Sequence, residues 1–262
     1  HVGFAVAANP VCCCLPAVGT RDGHSAAVKS QLHRAMLAEF IGTAMLVAAV
    51  VGSGVMADEL SDDVGLVLLQ NTIATFGALI ALIHAMAPVS GAHFNPIVSA
   101  VDHIFGGTDR RSFGAFIPVQ IIGAVSGGVV ANLMFDLDAV EWSTKTRSGG
   151  GIWLAEAVAT FGLVVVIFSM VRSGRDRWIP LAVGSYIPGA YYFPSSTSFA
   201  NPAVTIGRTV SDTFAGIDPG DAPMFVVFQL LGGALGALAV RALYPDAVSF
   251  GDVSFSDGGL DD

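Results

Sequence analysis

Apolar residues run in long blocks along this chain, and short polar segments divide them. A hydrocarbon core of roughly 30 Å needs about twenty apolar residues per helical crossing. Six blocks have the length, at about 35–57, 64–87, 112–137, 151–172, 178–194 and 222–244. The fifth is punctuated by Pro180, Pro188 and Pro194. Two shorter runs, about 93–105 and 201–214, follow the second and fifth blocks, and each is roughly half a span. The pattern predicts an all-α integral membrane protein with six transmembrane helices and two re-entrant half-helices.

Composition supports that reading. Of the 262 residues 53% are hydrophobic and only 13% charged, where soluble domains carry about 25% charged residues. The net charge of -9 sits mostly in hydrophilic segments such as "ADELSDD" and the tail "SFSDGGLDD". Such acidic segments are solvated and argue against nucleic acid as a partner. Cys12, Cys13 and Cys14 are adjacent, so they cannot staple distant parts of a fold, and they lack zinc-type spacing. Neither a cofactor nor a metal is expected. Residues 1–33 show no sustained periodicity and are expected to be a disordered extension; their weak apolar run, broken by Pro10 and Pro16, does not fit a removable signal. Residues 34–245 form the membrane domain, and 246–262 an acidic tail.

Positive charge sets the expected orientation. With an inside N-terminus, the inner segments hold Arg21, Lys29, Arg34, Arg110, Arg111, Arg172, Arg175, Arg177 and Arg241. The outer ones hold only Lys145, Arg147 and Arg208. Both termini are therefore expected in the cytoplasm of a cell whose inner (plasma) membrane the chain crosses.

The two halves repeat. "AEFIGT" opens the first block and "AEAVAT" the fourth, while "QIIGAVSG" lies in the third and "QLLGGALG" in the sixth. Between these landmarks stand "SGAHFNPIVSA" and "SFANPAVTIGR". Three spans per half is odd, so the second copy enters the membrane inverted, the plan of many transport proteins with a site at mid-membrane. A half-length helix leaves backbone groups unpaired at its tip, which is tolerated only inside protein or against a watery cavity. Asn is a strong N-cap and Pro suits the first helical turn. Asn95-Pro96 and Asn201-Pro202 thus read as two helix starts that inversion points at each other. Each start carries about half a positive charge, so the pair repels cations while the two amides donate to a neutral molecule.

These motifs resemble those of the aquaporin and aquaglyceroporin (major intrinsic protein) family over about residues 34–245. The resemblance implies one pore per subunit, a homotetramer in the lipid bilayer, and passive conduction of small neutral solutes. It places the pore midpoint at Asn95, Pro96, Ile97, Asn201, Pro202 and Ala203, and His93 on the inner pore wall. Glu39 and Glu156 are intramembrane carboxylates, which by default suggest a functional site or proton relay. The family implies instead that they accept hydrogen bonds from the re-entrant backbone, with Gln120 and Gln229 as matching supports. Gly123, Gly127, Gly232 and Gly236 have the spacing of close helix packing. His84 and His103 read as structural or interfacial.

Several positions depart from the family. Its filter usually includes an Arg three residues after the second Asn, and here that residue is Val204. Counting without gaps puts the other filter positions at Thr75, Gly189 and Ser198. Losing the guanidinium removes a full charge and a donor fork, which suits neutral solutes larger than water. Val at this position resembles the bacterial subgroup associated with arsenic resistance, implying passage of glycerol and undissociated arsenite or related metalloids. Arg208, one turn beyond Val204, either leans toward the outer mouth or pairs with a rim acid such as Asp212. Ile97 replaces the usual Ala and is expected to spread the two tips.

Other classes remain on the sequence alone. One is an ordinary water and glycerol channel with no metalloid role. A proton-coupled transporter using Glu39 or Glu156 would show saturable, gradient-dependent uptake, and a structural or adhesive membrane protein would show no flux. No nucleophile–base pair suggests an enzyme.

Overall fold

A computed structural model describes residues 21–245, with side chains from residue 30 onward. The cysteine run and the acidic tail lie outside the described residues. Eight α-helices occur in this range: α1 (Arg21–Leu60), α2 (Val64–Ser90), α3 (Pro96–Ile104), α4 (Arg110–Met134), α5 (Gly150–Arg172), α6 (Ile179–Gly189), α7 (Pro202–Gly207) and α8 (Ala222–Leu243). Helix α1 begins at Arg21, so residues 21–33, expected to lack order, continue the first span as helix.

Local chemistry sets the boundaries. Asp63 caps α2, its Oδ1 accepting from the amides of Gly65 and Leu66 at 2.8 and 3.1 Å. Asp109 caps α4 in the same way through Arg111 and Ser112. A side-chain acceptor there satisfies amides that have no partner within the helix. Gly91 ends α2 at φ 87°, a left-handed conformation that glycine adopts without steric cost.

Five helices, α1 from Ser30, α2, α4, α5 and α8, are long and apolar enough to cross a membrane. The fifth block is different. Its helix α6 has 11 residues, preceded by a 3₁₀ turn at Asp176–Trp178. At 1.5 Å per residue it covers about 16 Å, and tight turns at residues 190–192 continue the chain.

The packing obeys the repeat. α1 packs on α2 and α4, as α5 packs on α6 and α8; α4 meets α7, as α8 meets α3; and α2 meets α6 between the halves. Exchanging α1–α4 for α5–α8 leaves this scheme unchanged, the mark of a pseudo-two-fold arrangement. The tight pairs need glycine. A Cβ on Gly123 would lie 2.6 Å from the Phe40 carbonyl oxygen, and one on Gly127 would collide with that of Ala44. Gly232 is pressed against the Ala157 carbonyl in the same way. Small residues at such seams let backbones approach.

Candidate pore and its constrictions

Glu39 and Glu156 are fully buried, each on the first helix of its half. Glu39 accepts from the Ser90 hydroxyl at 2.6 Å and from the amides of His93 and Phe94 at 2.9 and 2.7 Å. Glu156 accepts from the amides of Phe199 and Ala200, both at 2.9 Å. Gln120 donates to Glu39 at 2.7 Å and Gln229 to Glu156 at 2.6 Å. Each Gln also donates to the adjoining half-helix, to Ser99 and to Thr205, both at 2.9 Å. Irregular backbone buried at depth thus finds its acceptors in a carboxylate. It is needed because Ala92, Phe94, Ser198 and Ala200 hold φ between 47° and 52°, where a non-glycine residue costs about 1–2 kcal/mol.

These loops deliver the two asparagines to one place. The Asn95 oxygen caps α3 through the Ile97 amide at 2.9 Å, and the Asn201 oxygen caps α7 through Ala203 and Val204 at 2.9 and 3.2 Å. The amide nitrogens cross over. Asn95 Nδ2 donates to the Ala200 carbonyl and Asn201 Nδ2 to the Phe94 carbonyl, both at 2.8 Å. Two helix starts therefore face each other, stitched tip to tip. Ile97 does not spread them, contrary to expectation. Its Cγ2 lies 2.5 Å from where a Cβ on Gly233 would be, so the missing side chain on α8 makes its room. The corresponding pair in the other half is Ala203 and Ala124.

Both asparagines line a cavity of about 720 Å³ that extends past them in both directions. On one side its wall includes His84, His93, Asp102 and Arg177. His93 holds Ser99 through Nδ1 at 3.0 Å and faces Asp102 at 3.6 Å through Nε2. His84 also lines the cavity, whereas His103 binds the Thr108 carbonyl at 2.8 Å and stacks on Phe113. On the other side the wall includes Thr75, Tyr191, Ser198, Val204 and Arg208. Of the six midpoint residues predicted, only the two asparagines touch the cavity; Pro96, Ile97, Pro202 and Ala203 are buried around them.

A sequence profile described as Major intrinsic protein matches residues 26–193. The chain belongs to that family. It is 48% identical over 216 residues to "Aquaglyceroporin AqpS" of Rhizobium meliloti (strain 1021), covering 82% of this chain and 92% of that protein. It is 27% identical over 257 residues to "Glycerol uptake facilitator protein" of Pseudomonas aeruginosa, covering 84% and 91%. The fold resembles the X-ray structure of the aquaglyceroporin from Plasmodium falciparum, with a TM-score of 0.61 at 22% identity over 82% of this chain and 96% of that one. This major intrinsic protein is a multi-pass membrane channel for small neutral solutes and not an enzyme. The coupled-transporter and adhesive readings fall away.

One predicted wall position of this family member fails. Gly189 is exposed and lies off the cavity, with open space around the position of a Cβ. The gap-free count assumed a helix through residue 194, but α6 stops at Gly189 and the following turn brings Tyr191 to the lumen instead. The Tyr191 hydroxyl meets that of Thr75 at 3.2 Å, and Thr75 is anchored to the Asn71 carbonyl at 2.9 Å.

Arg208 resolves its two readings toward the cavity. Asp212 is taken by Thr144, whose amide donates to it at 2.8 Å. Arg208 is buried, donates from Nε to the Ala215 carbonyl, and stacks over Phe199 at 3.4 Å. Such a desolvated cation–π contact is worth about 2 kcal/mol. Sequence reasoning missed Phe199 and Arg147. The Arg147 guanidinium lies 5.1 Å from the Phe199 ring and donates from Nε to the Gly216 carbonyl at 2.8 Å. Burial pushes Arg147 down to about 10, partly countered by Glu156 and Tyr191, so it stays charged at neutral pH. Only the aromatic type of Phe199, beside the second Asn-Pro, hinted at a cation platform.

Proposed function

We propose that this channel passes glycerol and undissociated arsenite or related metalloids, with water, through one pore in each subunit of a homotetramer. On this reading it lies in the inner (plasma) membrane, and the distribution of Lys and Arg supports cytoplasmic termini. The observation that carries the solute reading is Val204 on the cavity wall with Thr75 and Ser198, at the level where the family usually holds an arginine. A guanidinium there would narrow the passage and bind water in a fixed fork. Val204 leaves a wider, less polar ring that favours a hydroxylated neutral solute over water alone. Arsenous acid is uncharged near neutral pH and close in shape to a small polyol. The names of relatives at 48% and 27% identity, an aquaglyceroporin and a glycerol uptake facilitator, support the glycerol part of this reading.

The midpoint supplies ion exclusion. Each facing helix start contributes about half a positive charge, and the asparagine amides that hold the tips together line the passage. Stopped-flow light scattering on proteoliposomes under water, glycerol and arsenite gradients tests the reading. Wild-type protein is expected to pass all three with rates linear in solute. Glycerol without arsenite would leave an ordinary water and glycerol channel. Val204→Arg is expected to reduce glycerol and arsenite permeation more than water; an unchanged ratio would remove Val204 from the filter.

A further inference from the structure

The cavity holds a guanidinium, but not at Val204. α7 continues into a 3₁₀ turn, Arg208–Val210, which places Arg208 four residues, about 6 Å of helix rise, beyond Val204 and away from Asn201. Three contacts fix it or its platform. Nε donates to the Ala215 carbonyl, the guanidinium carbon sits 3.4 Å over the Phe199 ring, and Phe199 is wedged edge-on against Phe225 at 5.0 Å. Among the described residues, no hydrogen-bond partner takes the two terminal amino groups of Arg208, and the side chain lines the cavity. The Tyr191 hydroxyl lines the same cavity, held by Thr75.

We propose that Arg208, one helical turn outward of Val204, is a second selecting group whose fixed guanidinium repels cations, while the Tyr191 hydroxyl, at the level of Thr75, offers hydrogen bonds to hydroxyl-rich neutral solutes. Size and charge are then selected at different depths. The ring of Thr75, Ser198 and Val204, lacking a guanidinium, admits a molecule larger than water, while the field that an arginine there would supply acts from one turn beyond. Phe199 makes the displacement possible, because a ring face holds the planar cation without a direct ion pair to a carboxylate. Arg147, on the same ring, adds a second positive charge at that level. The field adds to that of the two helix starts, so cation exclusion does not rest on the midpoint alone. The inference rests on the passage running through this cavity, but not on which solute uses it.

Two readouts on the full chain in proteoliposomes test it, each normalised to the water permeability of the same vesicles. The first is entry of tracer sodium under an inside-negative potential. Arg208→Gln is expected to raise it about tenfold, and Arg208→Lys, which keeps the charge, to leave it near wild type. Equal behaviour of the two variants would overturn the role of charge and reduce Arg208 to packing. The second is glycerol permeation, which Tyr191→Phe is expected to lower about fivefold, the effect of one lost hydrogen bond. A wild-type ratio in Tyr191→Phe would overturn the role of the hydroxyl. Should Arg208→Gln not fold, Arg208→Lys is compared with Arg208→Met in the sodium assay, with the same two outcomes. Wild-type vesicles impermeable to glycerol would sink the solute reading, while the sodium assay would still decide the guanidinium.

Discussion

Glu156 shows how one side chain can be indispensable without touching a solute. Its two oxygens accept from the amides of Phe199 and Ala200 and from Gln229. Glu156→Gln would turn one acceptor into a donor facing donors. Hydrogen bonds to a charged group are worth about 1.5–3 kcal/mol each, so the change is expected to cost about 3 kcal/mol and lower the thermal midpoint in detergent by about 6–12 °C. An unchanged midpoint would mean that the loop holds its shape by other means. This role was legible only through family resemblance, because a buried carboxylate alone equally suggests proton relay. The wall position was less legible. Counting along an uninterrupted helix points to residue 189, and the short turn at residues 190–192 is enough to exchange a glycine for Tyr191. Arg208 was visible as a position, but Phe199 stacking depends on a long-range fold that spacing does not encode.

Helices were far easier to read than the loops between them. Blocks of apolar residues report four spans within a few residues and the end of α1 but not its start, and the Asn-Pro pairs locate the starts of α3 and α7. What hydropathy did not register is the brevity of α6, since apolar residues continue past its last turn as tight turns. Similarly, "QIIGAVSG" and "QLLGGALG" announced close packing, and the carbonyls opposite Gly127 and Gly232 explain why. Gly127→Ala places a methyl against the Ala44 carbonyl and is expected to cost about 1–3 kcal/mol through overpacking. Gly114→Ala, on the same α4 with nothing nearby, is expected to stabilise by about 0.5–1 kcal/mol. Thermal unfolding of the two variants side by side checks this, and equal midpoints would contradict the seam.

At the level of the whole molecule, two inverted halves accomplish what neither could alone. Each half buries a carboxylate, each carboxylate shapes a loop, and each loop presents an asparagine whose amide bonds to the other half. On the proposed reading the middle of the passage through the membrane is polar, and its two facing helix starts disfavour cations. Water and neutral hydroxylated molecules can exchange hydrogen bonds along it, and a cation meets opposed dipoles with no compensating carboxylate on the wall at that point. Asn201→Asp places a negative charge between those dipoles and tests this directly. Patch-clamp recording of membranes containing the variant is expected to show cation-selective currents where wild-type membranes are silent. Currents indistinguishable from wild type, in membranes that still conduct water, would contradict the electrostatic account of the midpoint.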